Sequence, residues 1–248
     1  HLAKKLIRSA KKIGANIVKF QTFKAKSLAL ENTPKVSYQK KSTQKNETHF
    51  EMLKKLELSY ENHKHLFNYC KKLEIEFLST PYDLKSAKFL NKLGVNYFKT
   101  SSADIVDLQL HKYIASTKKV SLVSVGMASI EEIAIVVNIY KKYGNKNLIL
   151  LHTTSNYPAS DGSINIRVID TLRKTFKVPV GFSDHSKGYL AAVCAISLGA
   201  RVIERHFTLN NNMDGPDHKA SLNEKNFLKY IKEIRKSEIL LGSKEKVI

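Results

Sequence analysis

Short runs of apolar residues alternate with amphipathic segments along almost the whole chain. The apolar runs are three to six residues long and rich in valine, isoleucine and phenylalanine, which is typical of buried strands. They predict strands at 16–20, 76–79, 97–99, 120–125, 148–151, 178–182 and 201–203. The other segments have apolar residues at helical spacing and predict helices at 2–13, 48–56, 60–73, 83–93, 108–116, 130–143, 166–176, 189–198 and 224–241. Residues 24–46 are polar and aperiodic, and they predict a long loop.

This alternation predicts a parallel sheet covered by helices, because strand–helix–strand units join parallel strands. Each of the seven predicted strands is followed by a helix, while the helix at 2–13 has no strand before it. Eight such units in about 250 residues form a (β/α)8 TIM barrel. We therefore expect one barrel domain over 1–248 with its first strand missing. The rival is an open doubly wound sheet, but no GxGxxG motif follows the first strand, which weakens a dinucleotide-binding interpretation.

Composition and charge narrow the class of protein. Apolar residues make up 42% of 248 residues, enough for a core, and no run of about 18 apolar residues predicts a membrane span. There are 42 basic and 22 acidic residues, but the lysines are spread in pairs over successive helices. That distribution favours small anionic substrates over nucleic acid as partners. Cys70 and Cys194 are interpreted as free thiols, and no signal-peptide pattern opens the chain, which together favour a cytoplasmic protein.

Two histidines follow consecutive predicted strands, His185 after the strand at 178–182 and His206 after the strand at 201–203. Parallel neighbours end at the same edge of a sheet, so both imidazoles are expected on one rim. Asp184, Glu204 and Asp217 lie nearby in sequence. Two histidines with a carboxylate or water suit a divalent metal. The alternative is two unrelated loop histidines that are satisfied by hydrogen bonds.

Lysines and hydroxyl-bearing residues recur at the other strand ends. They are Lys19, Thr80, Lys99, Ser102, Ser124 and Ser183. Positive charge with hydrogen-bond donors is what a phosphate-bearing ligand requires. Lys19 and Lys99 could instead extend from strand ends to solvent, or Lys99 could form the Schiff base of an aldolase. Tyr157 is a plausible substrate contact, or alternatively a rigid loop anchor beside Pro158.

The sequence around these residues resembles the sialic acid synthase family. The motifs are VKFQTFKA, FLSTPYD, FKTSSAD, SVGMAS, LLHTTSNYPA, GFSDHS, VIERHFTL and GPDHKASL, and the resemblance covers about 2–241. It implies a (β/α)8 barrel followed by a small antifreeze-like domain, a homodimer, and a divalent metal, usually Mn²⁺ with Mg²⁺ or Co²⁺ as alternatives. The implied reaction condenses phosphoenolpyruvate with an N-acetylated aminosugar aldehyde and gives N-acetylneuraminate, legionaminate or pseudaminate plus phosphate.

The resemblance also implies a role for each candidate residue. The metal ligands would be His185 and His206. The phosphate and carboxylate of phosphoenolpyruvate would be held by Lys19, Thr80, Lys99, Ser102, Ser124 and Ser183. The aminosugar would face Gln21, Ser155, Tyr157 and Asp217. The residues expected to act in catalysis are Asp217, Lys99, His185 and His206, with Asp217 either binding the sugar or managing a water proton.

Two features of the family pattern are missing from this sequence. No strand with a glutamate-containing motif precedes His1, and no antifreeze-like domain follows Ile248. We therefore expect a truncated barrel with reduced stability and low activity, because a missing strand leaves two unpaired sheet edges.

Four alternatives remain open from the sequence. The first is another phosphoenolpyruvate-dependent 3-deoxy-sugar-acid synthase. The second is a class I aldolase that uses Lys99. The third is a basic nucleic-acid-binding protein, whose binding would depend steeply on salt. The fourth is a degenerate barrel that binds ligand without turnover.

Overall fold

Helices and parallel strands alternate through the structure, a computed structural model that describes residues 1–35, 39, 43 and 46–246. Its strands are β1 (Ile17–Thr22), β2 (Glu76–Pro81), β3 (Tyr97–Thr100), β4 (Val120–Ser124), β5 (Leu148–Thr153), β6 (Val180–Asp184) and β7 (Ile203–Arg205). Its α-helices are α1 (Leu2–Lys12), α2 (Ala25–Leu28), α3 (His49–Leu56), α4 (Tyr60–Lys72), α5 (Leu84–Leu93), α6 (Leu108–Ser116), α7 (Ile130–Lys142), α8 (Val168–Phe176), α9 (Leu190–Ser197) and α10 (Glu224–Leu241).

The strands form two hydrogen-bonded sections in which all pairs are parallel. β1 pairs with β2, and β3 to β7 pair in sequence order. Lys19 Nζ on β1 lies 3.3 Å from Glu204 Oε1 on β7, so the strands curl until the first and last approach each other. The fold is therefore mixed α/β with a curled five-stranded parallel half-barrel. Among the described residues, β2 and β3 are not paired strands, so the sheet is in two sections rather than one closed barrel.

Capping side chains and a glycine define several helix ends. Ser59 caps α4 by accepting a hydrogen bond from the backbone N–H of Asn62. Ser129 and Glu132 form a reciprocal capping box at the start of α7. Gly94 ends α5 in the left-handed conformation that favours glycine.

The predicted strand at 201–203 is wrong by two residues, because β7 runs from Ile203 to Arg205. Charged residues were expected to follow the strand, but Glu204 and Arg205 belong to it. Their charges are paired on opposite faces, Glu204 with lysines and Arg205 with Asp184. Strand alternation makes this possible, since successive side chains point to opposite faces. β1, β2 and β5 also continue into polar residues beyond their predicted ends.

The predicted loop at 24–46 contains one short helix, α2, and lies partly outside the described residues. The backbone N–H of Ala25 donates to Glu57 Oε1 at 2.8 Å, and Lys24 Nζ lies 3.1 Å from Glu57 Oε2. A carboxylate from the segment after α3 thus satisfies an amide at the start of α2, a contact distant in sequence that local pattern could not indicate.

Three apolar clusters of described residues are buried, one between α9 and α10 and the other two on the two faces of the sheet. The larger cluster packs the outer face against the helices. The smaller one fills the concave face with Leu78, Leu122 and Leu151, against which Ile17, Tyr97, Val120, Ile149 and Val202 pack. This inner cluster is the floor on which the polar residues of the candidate site stand.

Both cysteines are free thiols, as predicted, and burial raises the pKa of Cys70 to about 12. Within the described ranges, the helices are too short or too polar to cross a lipid bilayer.

Candidate active site

A charged or hydroxyl-bearing residue lies two positions beyond an apolar residue of the inner cluster on six of the strand segments, and two positions beyond Gly181 on β6. In strand order these are Lys19, Thr80, Lys99, Ser124, Thr153, Ser183 and Glu204. Because side chains two apart point to the same face, these seven residues lie on the inner face towards the carboxyl ends of the strands, and we call the set the polar layer. Five of the predicted phosphate-binding residues are therefore brought together.

A shared carboxylate joins the two lysines of the polar layer. Glu204 Oε1 lies 3.3 Å from Lys19 Nζ and 3.7 Å from Lys99 Nζ, and it accepts a hydrogen bond from Ser183 Oγ at 3.1 Å. Burial lowers the pKa of Lys99 to about 8, although Glu204 opposes that shift. Burial raises the pKa of Glu204, but the two ammonium groups outweigh it and hold that pKa well below its usual range. The group therefore has one net positive charge when both lysines are protonated.

Two hydroxyls of the polar layer are buried without a hydrogen-bond partner. Thr80 and Ser124 are 1% and 2% exposed, and their Oγ1 and Oγ atoms contact no donor or acceptor among the described residues. A buried polar group in this state costs about 1–3 kcal/mol, so these hydroxyls are available to a polar ligand. Ser102 is used locally, since its Oγ accepts from the backbone N–H of Gly126 at 3.0 Å.

The two predicted histidines meet at the rim, and Tyr157 packs against both. The ring centroids of His185 and His206 are 5.6 Å apart, and the Tyr157 centroid lies 4.1 Å from His185 and 5.4 Å from His206. His185 Nδ1 is 2.7 Å from the carbonyl oxygen of Thr154. A carbonyl only accepts hydrogen bonds, so Nδ1 holds the proton and Nε2 keeps its lone pair.

Burial favours the neutral form of both imidazoles. Burial lowers the pKa of His185, and it lowers the pKa of His206 to about 3. Neutral imidazole is the form that ligates a metal, so the two residues fit two ligand positions of a divalent ion. In the part of the chain that the structure describes, no group of three or more His, Cys, Asp or Glu side chains could hold a metal.

The predicted sugar-facing residues lie around the mouth of the polar layer. Gln21 is exposed, and its Nε2 donates to the Tyr82 hydroxyl at 3.0 Å. Asp217 Oδ2 lies 3.5 Å from His206 Nδ1, and its side chain is 40% exposed. Ser155 is exposed on the loop after β5.

A cleft of about 530 Å³ opens between α1 and β1 on one side and β7 and α10 on the other. Lys19, Glu204, His206 and Asp217 line it together. The polar layer is thus reached from a cleft that also contains one of the two histidines and one acid.

The sequence interpretation missed three residues of the site. Glu204 was noted only as an acidic neighbour, although it contacts both lysines. Thr153 Oγ1 lies 3.3 Å from His185 Nδ1. Asp104 accepts from the backbone N–H of Ser101, and burial raises its pKa to about 6. The spacing of Ser101 and Asp104 is that of a helix cap, and no signal in the sequence distinguishes a cap from a site residue.

Comparison with known proteins places the chain in a family. Residues 6–246 match the NeuB family. Over 244 residues the chain is 44% identical to N,N'-diacetyllegionaminic acid synthase of Campylobacter jejuni, covering 98% of this chain and 73% of that protein. The enzyme of the same name from Legionella pneumophila is 43% identical over 249 residues, covering 99% and 70%.

A solved structure with the same fold is an N-acetylneuraminic acid synthetase from Leptospira borgpetersenii in complex with citrate. Its TM-score is 0.89 at 30% identity, and the match covers 100% of this chain and 81% of that chain. The metal, the homodimer and the cytoplasmic location remain predictions.

Proposed function

Because this chain belongs to the NeuB family, as its motifs predicted, we propose that it condenses phosphoenolpyruvate with an N-acetylated aminosugar aldehyde to give a nonulosonic acid and phosphate. The relatives described above are synthases, and this chain is an enzyme of that kind. The observation that supports the proposal best is the polar layer, where two ammonium groups lie beside two buried hydroxyls that have no partner among the described residues.

The polar layer suits the charge of phosphoenolpyruvate. Lys19 and Lys99 donate to its phosphate and carboxylate, and the hydroxyls of Thr80 and Ser124 supply neutral donors. An anion beside Lys99 favours the charged amine and so opposes the lowering of its pKa by burial. Glu204 keeps the two ammonium groups together when no anion is bound.

The bond changes are those that the family resemblance implies. C3 of phosphoenolpyruvate attacks the aldehyde carbon, and the aldehyde oxygen takes a proton and becomes a hydroxyl. The cation left at C2 takes up water, which loses a proton to give a tetrahedral centre. The bond from C2 to the phosphate-bearing oxygen then breaks while the C2 hydroxyl becomes the ketone, and the proton of that hydroxyl passes to the leaving phosphate. Lys19 and Lys99 stabilise the negative charge that develops on the leaving phosphate. Asp217, at the rim beside His206, either hydrogen-bonds the sugar or accepts the water proton.

The metal belongs to the proposal as well. His185 and His206 would hold a divalent ion through their Nε2 atoms, Mn²⁺ first and Mg²⁺ or Co²⁺ as alternatives. When bound, such an ion polarises the sugar carbonyl as a Lewis acid. Tyr157 covers both rings and limits the access of water to them.

The finer fold assignment is also part of the proposal. The two strand sections are parts of one (β/α)8 barrel, because Lys19 on β1 meets Glu204 on β7 across the inner face. In such barrels the active site is built at the carboxyl ends of the strands, which is where the polar layer and the histidines lie.

Calorimetric titration of this chain with phosphoenolpyruvate, before and after MnCl2 is added, tests the proposal. We expect binding of both, loss of Mn²⁺ binding in His185→Ala/His206→Ala, and loss of phosphoenolpyruvate binding in Lys19→Gln/Lys99→Gln. Lys24→Gln is the matched control, because Lys24 pairs with Glu57 outside the polar layer. Binding of phosphoenolpyruvate that survives the double lysine change would contradict the proposal.

A second candidate function is Schiff-base chemistry on Lys99. The observation in its favour is the buried amine, whose pKa burial lowers to about 8, because a less basic lysine is a better nucleophile at neutral pH. Borohydride reduction in the presence of pyruvate would trap an adduct on Lys99, which mass spectrometry of peptides would locate. An unmodified Lys99 would exclude this candidate.

A further inference from the structure

A buried ion pair lies behind the two histidines, on the opposite face of the sheet. Asp184 ends β6 and Arg205 ends β7, and the two are direct partners in the parallel register. Arg205 Nη1 lies 2.9 Å from Asp184 Oδ1, with side chains 4% and 0% exposed. His185 and His206 are the residues that follow them. Alternation along each strand therefore sends the ion pair outward and the imidazoles inward.

Further hydrogen bonds tie the backbone on both sides of His185 to the same pair. Arg205 Nη2 donates to the carbonyl oxygen of Ser186, and the backbone N–H of Ser186 donates to Asp184 Oδ1 at 2.8 Å. The Tyr230 hydroxyl, from α10, donates to Asp184 Oδ2 at 2.8 Å. Residues 184 and 186 are thus both bound to Arg205, and α10 is attached to the unit.

The stability of the folded protein does not by itself explain the buried Asp184–Arg205 pair. Replacing a buried ion pair by apolar residues is often neutral or stabilising, whereas removing one partner is costly. What the pair supplies is geometry, because the planar guanidinium fixes two directions at once. A slip of β7 against β6 by one residue would turn His206 to the other face and would break the contacts of Arg205.

We propose that Asp184, Arg205 and Tyr230 are positioning residues that set the separation and orientation of His185 and His206. The inference rests on the proposed function only in taking these imidazoles as metal ligands. None of the three positioning residues touches the substrates in this assignment. Groups hydrogen-bonded directly to metal ligands affect metal affinity by about 10–100-fold, and we expect an effect at the lower end because this unit acts on the imidazoles through the backbone.

Imidazole NMR of the metal-free protein labelled with ¹⁵N-histidine is the direct test. Tyr230→Phe removes one hydroxyl and keeps the ring, and we expect it to shift the resonances of both His185 and His206 while those of His111 stay unchanged. Tyr140→Phe is the matched control, since Tyr140 is also buried but its ring packs against His111, with centroids 6.3 Å apart. The control should shift His111 only. Resonances of His185 and His206 that do not move in Tyr230→Phe would overturn the inference.

Titrations with MnCl2 and with phosphoenolpyruvate alone give the second readout. Tyr230→Phe should weaken Mn²⁺ binding about tenfold and leave the affinity for phosphoenolpyruvate within about twofold, because Lys19 and Lys99 stand on other strands. Equal loss of both affinities would show a general disturbance of the fold and would overturn the positioning role. If the unaltered chain binds no Mn²⁺, the metal part of the proposed function fails, and the NMR comparison still decides whether the unit positions the histidines.

Discussion

Lys19 and Lys99 lie on strands of different sections and contact the same oxygen of Glu204, at 3.3 Å and 3.7 Å. A single carboxylate thus holds two cations side by side in a site that the side chains of β2, β4 and β6 also line. The contact is both structural and functional, since it stabilises the curled sheet and sets the charge that a ligand meets.

The first prediction concerns Glu204→Gln. The change leaves two buried ammonium groups without their counter-charge, so the free energy of unfolding should fall by about 3 kcal/mol. Inorganic phosphate should restore part of this loss, because a bound anion takes over the role of the carboxylate. Urea unfolding with and without phosphate measures the effect. The rescue should grow by about 1.4 kcal/mol for each tenfold increase of phosphate above its Kd.

Glu57→Gln provides the control for that experiment. Glu57 is 10% exposed in its side chain and contacts Lys24 and Lys54 outside the polar layer. The change leaves the polar layer intact, and Glu204 there still competes with an anion for the two lysines, so phosphate should stabilise this variant less than it stabilises Glu204→Gln. Equal stabilisation of both variants by phosphate would contradict the competition between Glu204 and a bound anion.

The second prediction concerns Gly181, where β6 passes close to its neighbours. A Cβ there would lie 2.5 Å from the carbonyl oxygen of Val202 and 2.7 Å from Leu151 Cδ2. Gly181→Ala should therefore lower the free energy of unfolding by about 1–3 kcal/mol, as measured by urea denaturation. Gly162→Ala is the matched control, because a Cβ at Gly162 meets nothing within 4 Å. Similar stability of the two variants would contradict the close approach of β6 to the residues that precede β7.

The candidate site could be predicted from the sequence only as far as strand periodicity reaches. Lys19, Lys99, His185 and His206 were placed on one rim because parallel strands end together. Glu204 was not predicted as a partner of both lysines, since that contact requires the sheet to curl until β7 faces β1. The sequence around Glu204 gave no sign of this contact, because a charged residue near the end of a predicted strand suggests a loop.

The sequence also did not predict the contacts among Asp184, Arg205 and Tyr230 behind the histidines. Tyr230 lies at apolar helical spacing in α10 and was therefore indistinguishable from an ordinary core aromatic. Its hydroxyl contacts Asp184, far earlier in the chain, and no local pattern encodes that pairing. Arg205 lies beyond the end of the strand that was predicted at 201–203. Its burial depends on its partner on β6, Asp184.

The third prediction is loss of stability in mild acid. Burial lowers the pKa values of His63, His111, His152, His185 and His206. For His111, burial lowers the pKa to about 4, below the unfolded value of about 6.5. The unfolded chain therefore takes up the proton first, and the stabilisation is complete above pH ~6.5 and lost as the pH falls toward about 4. Each such histidine adds a slope of up to about 1.4 kcal/mol per pH unit.

Urea unfolding at pH 7, 6 and 5 measures this slope. His111→Phe keeps an aromatic ring beside Tyr140 and should flatten the dependence between pH 6 and 5. His65→Gln should not, because the His65 side chain is 66% exposed. An unchanged slope in His111→Phe would show that other groups dominate the acid response.

The fourth prediction concerns hydrogen exchange of the strand amides. β4 and β5 are paired on both sides, whereas β1 and β7 are each paired on one side. Amides in the middle of β4 and β5 should exchange slowest, and those of β7 should approach the rates of loops, because exchange follows local opening. Mass spectrometry of peptides from labelled protein measures this order. Equal protection of β7 and β5 would show that β7 is covered by something besides β6.

The division of the sheet into two sections has a consequence for ligand affinity. Lys19 belongs to the section of β1 and β2, and Lys99 belongs to the section of β3 to β7. An anion held by both lysines links the two sections without a covalent bond. Part of its intrinsic binding free energy is therefore used to order one section against the other. The Asn96–Glu76 hydrogen bond helps to hold the two sections together at the boundary between β2 and β3. The rigidity of this boundary therefore affects the dissociation constant of the anion. Residues at this boundary can therefore change the affinity for the ligand without touching it.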